Sequence, residues 1–176
     1  MMVARGEARA PARRAPPRLM ATILSRRRAR GTAADRALVA LSRKINQHRV
    51  AHLATASKQG RPLVVPLCFV CQGTTVFSVV DEKPKRVAAE RLRRLQNIRE
   101  NPQVALLVDH YEEDWTRLSY LLGEGRARIL RSGREHAAAL RRLRRKYPQY
   151  RRMRLEDKPV IRIALQKVTH WRPGTV

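Results

Sequence analysis

A chain of 176 residues with 43% hydrophobic content can bury one core without help from metals or disulfides, and it is too short for two domains of ordinary size. Its two cysteines cannot build a disulfide framework, and no stretch approaches the roughly 20 apolar residues of a membrane-spanning helix, so a soluble protein of a reducing, cytoplasmic compartment is expected. Lys and Arg number 39 against 14 Asp and Glu, a formal charge of +25, which directs attention to anionic partners: nucleic acid, an acidic membrane surface, or a phosphorylated or polycarboxylate cofactor.

Part of that charge belongs to the start of the chain. Residues 1–31 hold nine arginines and one glutamate, so +8 of the +25 lies there and +17 remains for residues 32–176. The Ala-, Pro- and Arg-rich composition, without apolar periodicity, reads as a disordered leader. Its longest apolar run, Leu19 to Leu24, is shorter than the apolar core of an export signal. The Arg-rich, acid-poor composition is shared with organellar transit peptides, and a translation start at Met20 is an alternative reading.

Order is expected from Thr32. Thr32 and Asp35 resemble a capping box, and Ala34, Ala37, Leu38, Leu41 and Ile45 recur at helical spacing, predicting a helix to about Gln47. Strands are predicted over 50–56, 62–71 and 75–80, joined by the short glycine-containing turns 57–61 and 72–74, the pattern of antiparallel hairpins. Pro66 removes a ladder donor from the second strand, which therefore belongs at an edge, a bulge or a ligand.

After the basic loop 81–86 a second helix is predicted, with Ala88, Leu92, Leu95 and Ile98 on one side and Asn101-Pro102 as its stop. Residues 103–110 read as a strongly apolar strand, and 115–130 as a long strand or bent pair turning at Gly123 and Gly125. Ser132 and Glu135 form a second capping box ahead of a helix ended by Pro148, and 158–171 alternates as the last strand. Strands outnumber helices and are joined mainly by hairpins, so the chain is read as mainly β: an antiparallel barrel with helices packed outside it.

Several groups carry chemical potential. Lys83, Lys85 and Arg86 place three cations in four residues ahead of a helix start, where a phosphate would gain charge-assisted hydrogen bonds; a solvated basic turn is the plain alternative. Arg86, Glu90, Arg93 and Asn97 share a helix face opposite the apolar stripe, facing solvent or a cleft. Cys68 and Cys71, three apart on a strand, point to opposite faces and read as buried structural thiols rather than a metal or disulfide pair. The five histidines show no ligand spacing, so no metal site is expected, and the acidic turn Asp109 to Asp114 lacks the spacing of a calcium loop and reads as a partner for arginines across a dimer. Residues 141–154 interleave Tyr147 and Tyr150 with seven arginines and one lysine: a solvated helix face, a landing surface for a polyanionic cofactor tail, or a nucleic-acid contact. No Ser/His/Asp or Cys/His arrangement, GxGxxG or P-loop is present, so an enzyme here would rely on a cofactor for its chemistry.

The succession RVAHLATASKQGRPLVVPLCFV, DEKPKR and LRRLQNIRENPQVALLVDHYEEDWTRLSYLLGEGRARI resembles the pyridoxamine-phosphate-oxidase-like split barrels, most closely the branch of deazaflavin (coenzyme F-420)-dependent enzymes, over about residues 45–172. The resemblance implies a homodimer with cofactor clefts between the barrels. It implies ring contacts from Val64, Val65, Pro66 and Leu67, phosphate contacts from Lys83, Lys85, Arg86, Arg94 and Asn97, and Trp115 as a side chain brought by the partner subunit. The stretch from Asp81 to Asn97 is longer than in the simplest members, which leaves the choice among Lys85, Arg86, Arg93 and Arg94 open. The expected function is hydride transfer between F-420 and a small organic substrate. The alternatives are an FMN-dependent oxidoreductase of the same fold, or a non-enzymatic cofactor carrier or nucleic-acid-associated protein. Tyr111 and Tyr120 are the candidate proton donors.

Overall fold

The structure, a computed structural model, describes residues 21–23, 33–81 and 92–174. Within the segment expected to be a leader, Ala21–Ile23 forms a short strand, β1. It is followed by α1 (Ala33–Gln47), β2 (Ala51–Ala56), β3 (Pro62–Leu67), β4 (Val70–Gln72) and β5 (Thr75–Val79). Then come α2 (Arg93–Glu100), β6 (Gln103–His110), β7 (Ser119–Leu130), α3 (Arg134–Lys146) and β8 (Val160–Trp171), with single 3-10 turns at Trp115–Arg117 and Pro148–Arg152.

The strands make one antiparallel sheet in the order β3-β2-β6-β7-β8-β5-β4, with β1 added along β8, and the sheet curls into the half-barrel of a split-barrel fold. Alternation decides which side faces the core: Ala51, Leu53 and Thr55 of β2 are buried while His52, Ala54 and Ala56 between them are partly exposed. The inner faces of β2, β6, β7 and β8, with Phe69, Val76, Leu95 and Ile98, form the main core. A second cluster fills the space between β4, β5 and α3, built on Phe77, Leu140, Leu143, Tyr147, Tyr150 and Leu155.

The bend expected at Gly123 and Gly125 is a register shift between Glu124 and Gly125 in the β7–β8 ladder. A Cβ on Gly125 would collide with the carbonyl of Ala164, so only glycine lets the two backbones approach this closely.

Three local readings are corrected. The strand predicted over 62–71 breaks after Leu67, because the Tyr147 hydroxyl accepts from the Phe69 N–H (2.9 Å) and faces the Phe69 carbonyl (2.8 Å), taking that residue out of the ladder. Trp115–Arg117 is a 3-10 turn instead of strand, since the Asp114 carboxylate accepts from both the backbone N–H (3.0 Å) and the hydroxyl (2.6 Å) of Thr116. The capping box at Ser132 does not form: α3 starts from Gly133, and Glu135 is taken instead by Arg128 (2.6 Å) and Arg162 (2.7 Å).

Candidate functional site

β3 lies at the sheet edge, in keeping with Pro66, and among the described residues pairs with β2 alone. Leu63, Val65 and Leu67 turn towards the core, and Val65 and Leu67 pack on it. Val64 and Pro66 face outward, Val64 with 60% of its surface exposed. Residues 64–67 therefore present a run of backbone polar groups along an open edge beside an apolar outer face. That is a surface on which a planar ring with amide-like edges can hydrogen-bond and lie flat.

The outer face continues inward from that edge. Register places Pro66 opposite His52 and Val64 opposite Ala54, then Ala54 opposite Ala105 and His52 opposite Leu107, then Leu107 opposite Leu122. The result is a largely apolar outward stripe of Val64, Pro66, Ala54, Ala105, Leu107 and Leu122. Polar side chains interrupt it: His52, whose Nδ1 lies 3.7 Å from Asp109 Oδ1, and Glu124, which stands opposite Ala105 and pairs with Lys167 (3.1 Å).

The two helix residues assigned to phosphate contacts part company. Arg94 is half-buried at the start of α2; burial lowers its guanidinium from the ordinary range while Asp81 acts in the opposite direction. Asp81 also accepts from the Tyr150 hydroxyl (3.1 Å), which anchors the end of β5 to the second core. Arg94 and Asp81 thus flank residues 82–91 in sequence. Lys83, Lys85 and Arg86 belong to that segment and lie outside the described residues. Asn97 is not on a polar face with Arg93: it is 1% exposed, and its Nδ2 donates to Thr55 Oγ1 (3.0 Å) on the inner side of β2.

Trp115 is 68% exposed at the head of its 3-10 turn, unburied by its own chain. Tyr111 is also exposed, whereas Tyr120 stacks on Trp171 with ring centres 5.5 Å apart. The acidic turn is used locally: Glu112 pairs with Arg117 (2.9 Å) and His110 (3.0 Å). No group of three or more His, Cys, Asp or Glu side chains among the described residues is placed to hold a metal ion.

In the basic stretch, Tyr147 and Tyr150 are each 1% exposed and belong to the core, so they offer no ring to a nucleobase. Arg144 is likewise employed internally, donating to the carbonyls of Tyr150 (3.2 Å) and Met153 (3.1 Å) and pairing with Glu156 (2.7 Å). Cys71 is buried, with its thiol pushed up to about 12 by burial, while Cys68 is only half-buried. Both cysteines are free.

One group of residues had no signal in the sequence. Lys44, His48, Arg117, His170 and Arg172 come from three distant stretches and meet around a cavity at one end of the half-barrel. Only tertiary structure assembles them.

Solved structures share this architecture. The haem storage protein HutZ of Vibrio cholerae aligns with a TM-score of 0.57 at 19% identity, over 77% of this chain and 94% of its own. A conserved hypothetical protein of Mycobacterium tuberculosis aligns at 0.62 and 16% identity, over 84% and 90%. An FAD-binding protein of Mesorhizobium loti aligns at 0.52 and 20% identity, over 86% and 96%. No curated protein matches the chain by sequence. The profile of the pyridoxamine 5'-phosphate oxidase family matches residues 39–172, nearly all of the folded part, and the chain belongs to that family.

Proposed function

We propose that the protein is a flavin-type oxidoreductase acting as a homodimer, with coenzyme F-420 as its cofactor and FMN as the alternative. The observation that carries this reading is the edge position of β3, which among the described residues pairs with β2 alone and so leaves one side of residues 64–67 open beside an outward apolar face. A tricyclic ring with carbonyl and N–H edges fits that edge. The group supplies hydride transfer when bound; the chain supplies binding, orientation and exclusion of water.

Val64, Val65, Pro66 and Leu67 would orient the ring. Lys83, Lys85, Arg86 and Arg94 would hold its phosphate, Arg94 being half-buried close in sequence to the three other cations. Asn97 would act on the site by fixing α2 to β2 through Thr55. The apolar outer stripe from Val64 to Leu122 would be the dimer face, because a monomer would leave it in water. Trp115, exposed on its own chain, would then reach the partner's cleft.

The test is a titration of the full chain with F-420 and with FMN at moderate salt. Micromolar or tighter binding of F-420, with weaker FMN, supports the reading as stated, and the reverse order makes the enzyme FMN-dependent. Binding of neither overturns the oxidoreductase reading. Haem titrated in the same series, read by its Soret band, would under that outcome point to a non-enzymatic haem-binding role, the V. cholerae neighbour being a haem storage protein.

A further inference from the structure

At the end of the half-barrel where α1 stops, β8 finishes and β7 begins, the chain forms a half-open recess of about 430 Å3. Its basic lining comes from three elements: Lys44 and His48 at the end of α1, Arg117 in the 3-10 turn, and His170 and Arg172 at the end of β8. Val108, Leu118 and Leu121 give it an apolar side. None of its lining residues is a carboxylate.

These groups act on one another. The His170 imidazole is held below its ordinary range by burial first, then by Lys44 and Arg172. The His48 imidazole is lowered by burial, then by His110 and Lys146, with Asp109 opposing. Both histidines are therefore predominantly neutral at pH 7, able to donate or accept a hydrogen bond, while Lys44, Arg117 and Arg172 supply charge. Glu112, from outside the lining, holds Arg117 at Nε (2.9 Å) and so fixes the plane of its guanidinium.

We propose that this cavity is a binding site for a small organic anion, a carboxylate or phosphate ester carrying an apolar body. The charged end would meet Lys44, Arg117 and Arg172, and the body would lie against Val108, Leu118 and Leu121. The volume is in the range of small-molecule sites, and a few polar groups converging beside an apolar wall are the arrangement that orients such a ligand. The site shares no residue with the β3 edge or α2, although Tyr120, one of the candidate proton donors, also lines it; anion binding is read separately from cofactor binding.

The experiment is an NMR titration of the full chain with benzoate and phenyl phosphate, against benzamide and benzyl alcohol as neutral counterparts. At least one anion is expected to bind at least tenfold more tightly than its neutral counterpart, perturbing the methyl groups of Leu118 and Leu121 and the imidazoles of His48 and His170. Which anion binds better separates a carboxylate from a phosphate ligand. Lys44→Gln and Arg172→Gln should each weaken binding about five- to tenfold, and Arg141→Gln, an exposed cation on α3, should leave it unchanged. The proposal is overturned if neither anion binds at millimolar concentration or if the neutral compounds bind equally well. It is also overturned if the folded Lys44→Gln/Arg172→Gln double variant, checked by its melting temperature, keeps full affinity.

Discussion

The Nδ2 of Asn97 donates to the hydroxyl of Thr55 at 3.0 Å, a side-chain pair buried between α2 and the inner face of β2. One hydrogen bond thereby ties the helix that carries Arg94 to the strand that backs β3. Asn97→Ala would leave the Thr55 hydroxyl buried without this partner, at a cost of about 1–3 kcal/mol. The double variant Asn97→Leu/Thr55→Val, which removes both polar groups, should recover much of that loss. Urea denaturation measures both. If Asn97→Ala left the unfolding midpoint unchanged but abolished cofactor binding, Asn97 would be a direct ligand and not a support.

The ammonium of Lys146 lies 3.8 Å from the centre of the Phe69 ring and has no hydrogen-bond partner among the described residues. Burial, then Arg49, pushes its pKa from 10.5 down to about 8. Below pH 8 the lysine is charged in both the folded and the unfolded chain, so the penalty of burying the charge is fully present. Between pH 8 and 10.5 the folded form gives up the proton while the unfolded chain keeps it, and the penalty is relieved. Lys146→Met should therefore stabilise the protein at pH 7, by about 1 kcal/mol, since the contact with Phe69 offsets part of the burial. That advantage should shrink as pH rises through this window. Thermal melts of both proteins from pH 6.5 to 10.5 test it, and a constant difference across the range would contradict the assignment.

Gly125 lets β7 step past β8 at the bulge. A Cβ there would collide with backbone, the Ala164 carbonyl, which cannot swing aside as a side chain could. Gly125→Ala should cost about 1–3 kcal/mol in overpacking and backbone shift. The neighbouring Gly123→Ala should cost less, because the closest atom it meets is Cδ2 of the Leu165 side chain, at 2.8 Å. Equal melting temperatures for the two variants would sink this ranking.

For the cofactor reading, Arg94→Gln removes one charged contact to the phosphate and should weaken F-420 or FMN binding about tenfold, or ~1.4 kcal/mol. Lys83→Gln and Lys85→Gln should act in the same direction. The oxidised-cofactor titration used for the wild type reads all three, and wild-type affinity in all three would remove this set from the phosphate site.

Dimerisation through the outer stripe makes a separate prediction. Val64, 60% exposed on that stripe, becomes a buried unpaired charge in a dimer when changed to glutamate. Val64→Glu should convert a dimer to a folded monomer in light scattering. The exchange at exposed Arg141, on α3, should not.

Much of this architecture was legible in the chain itself. The period-2 alternation of 51–56 reports which face of the strand is apolar, and burial obeys it; over 160–171 the alternation holds from Ile161 to Leu165 and slips at Gln166 and Lys167, beside the register shift with β7. Pro66 announced an edge because a missing donor can be tolerated only where no neighbour needs it. The family resemblance likewise rests on local runs of residues and is met by the match over 39–172.

Where the reading failed, a distant group had intervened. Phe69 leaves its strand because a tyrosine hydroxyl from α3, 78 positions later, takes its backbone groups. Glu135 abandons the helix cap for two arginines on neighbouring strands. Asn97 turns inward because Thr55 waits there, and Tyr147 and Tyr150 sink into the second core instead of lining a basic surface. Local pattern fixes which residues prefer water and which do not. The partners that settle a polar side chain's fate, and the meeting of Lys44, Arg117 and Arg172 around one cavity, depend on strand register and helix docking, which only the closed sheet decides.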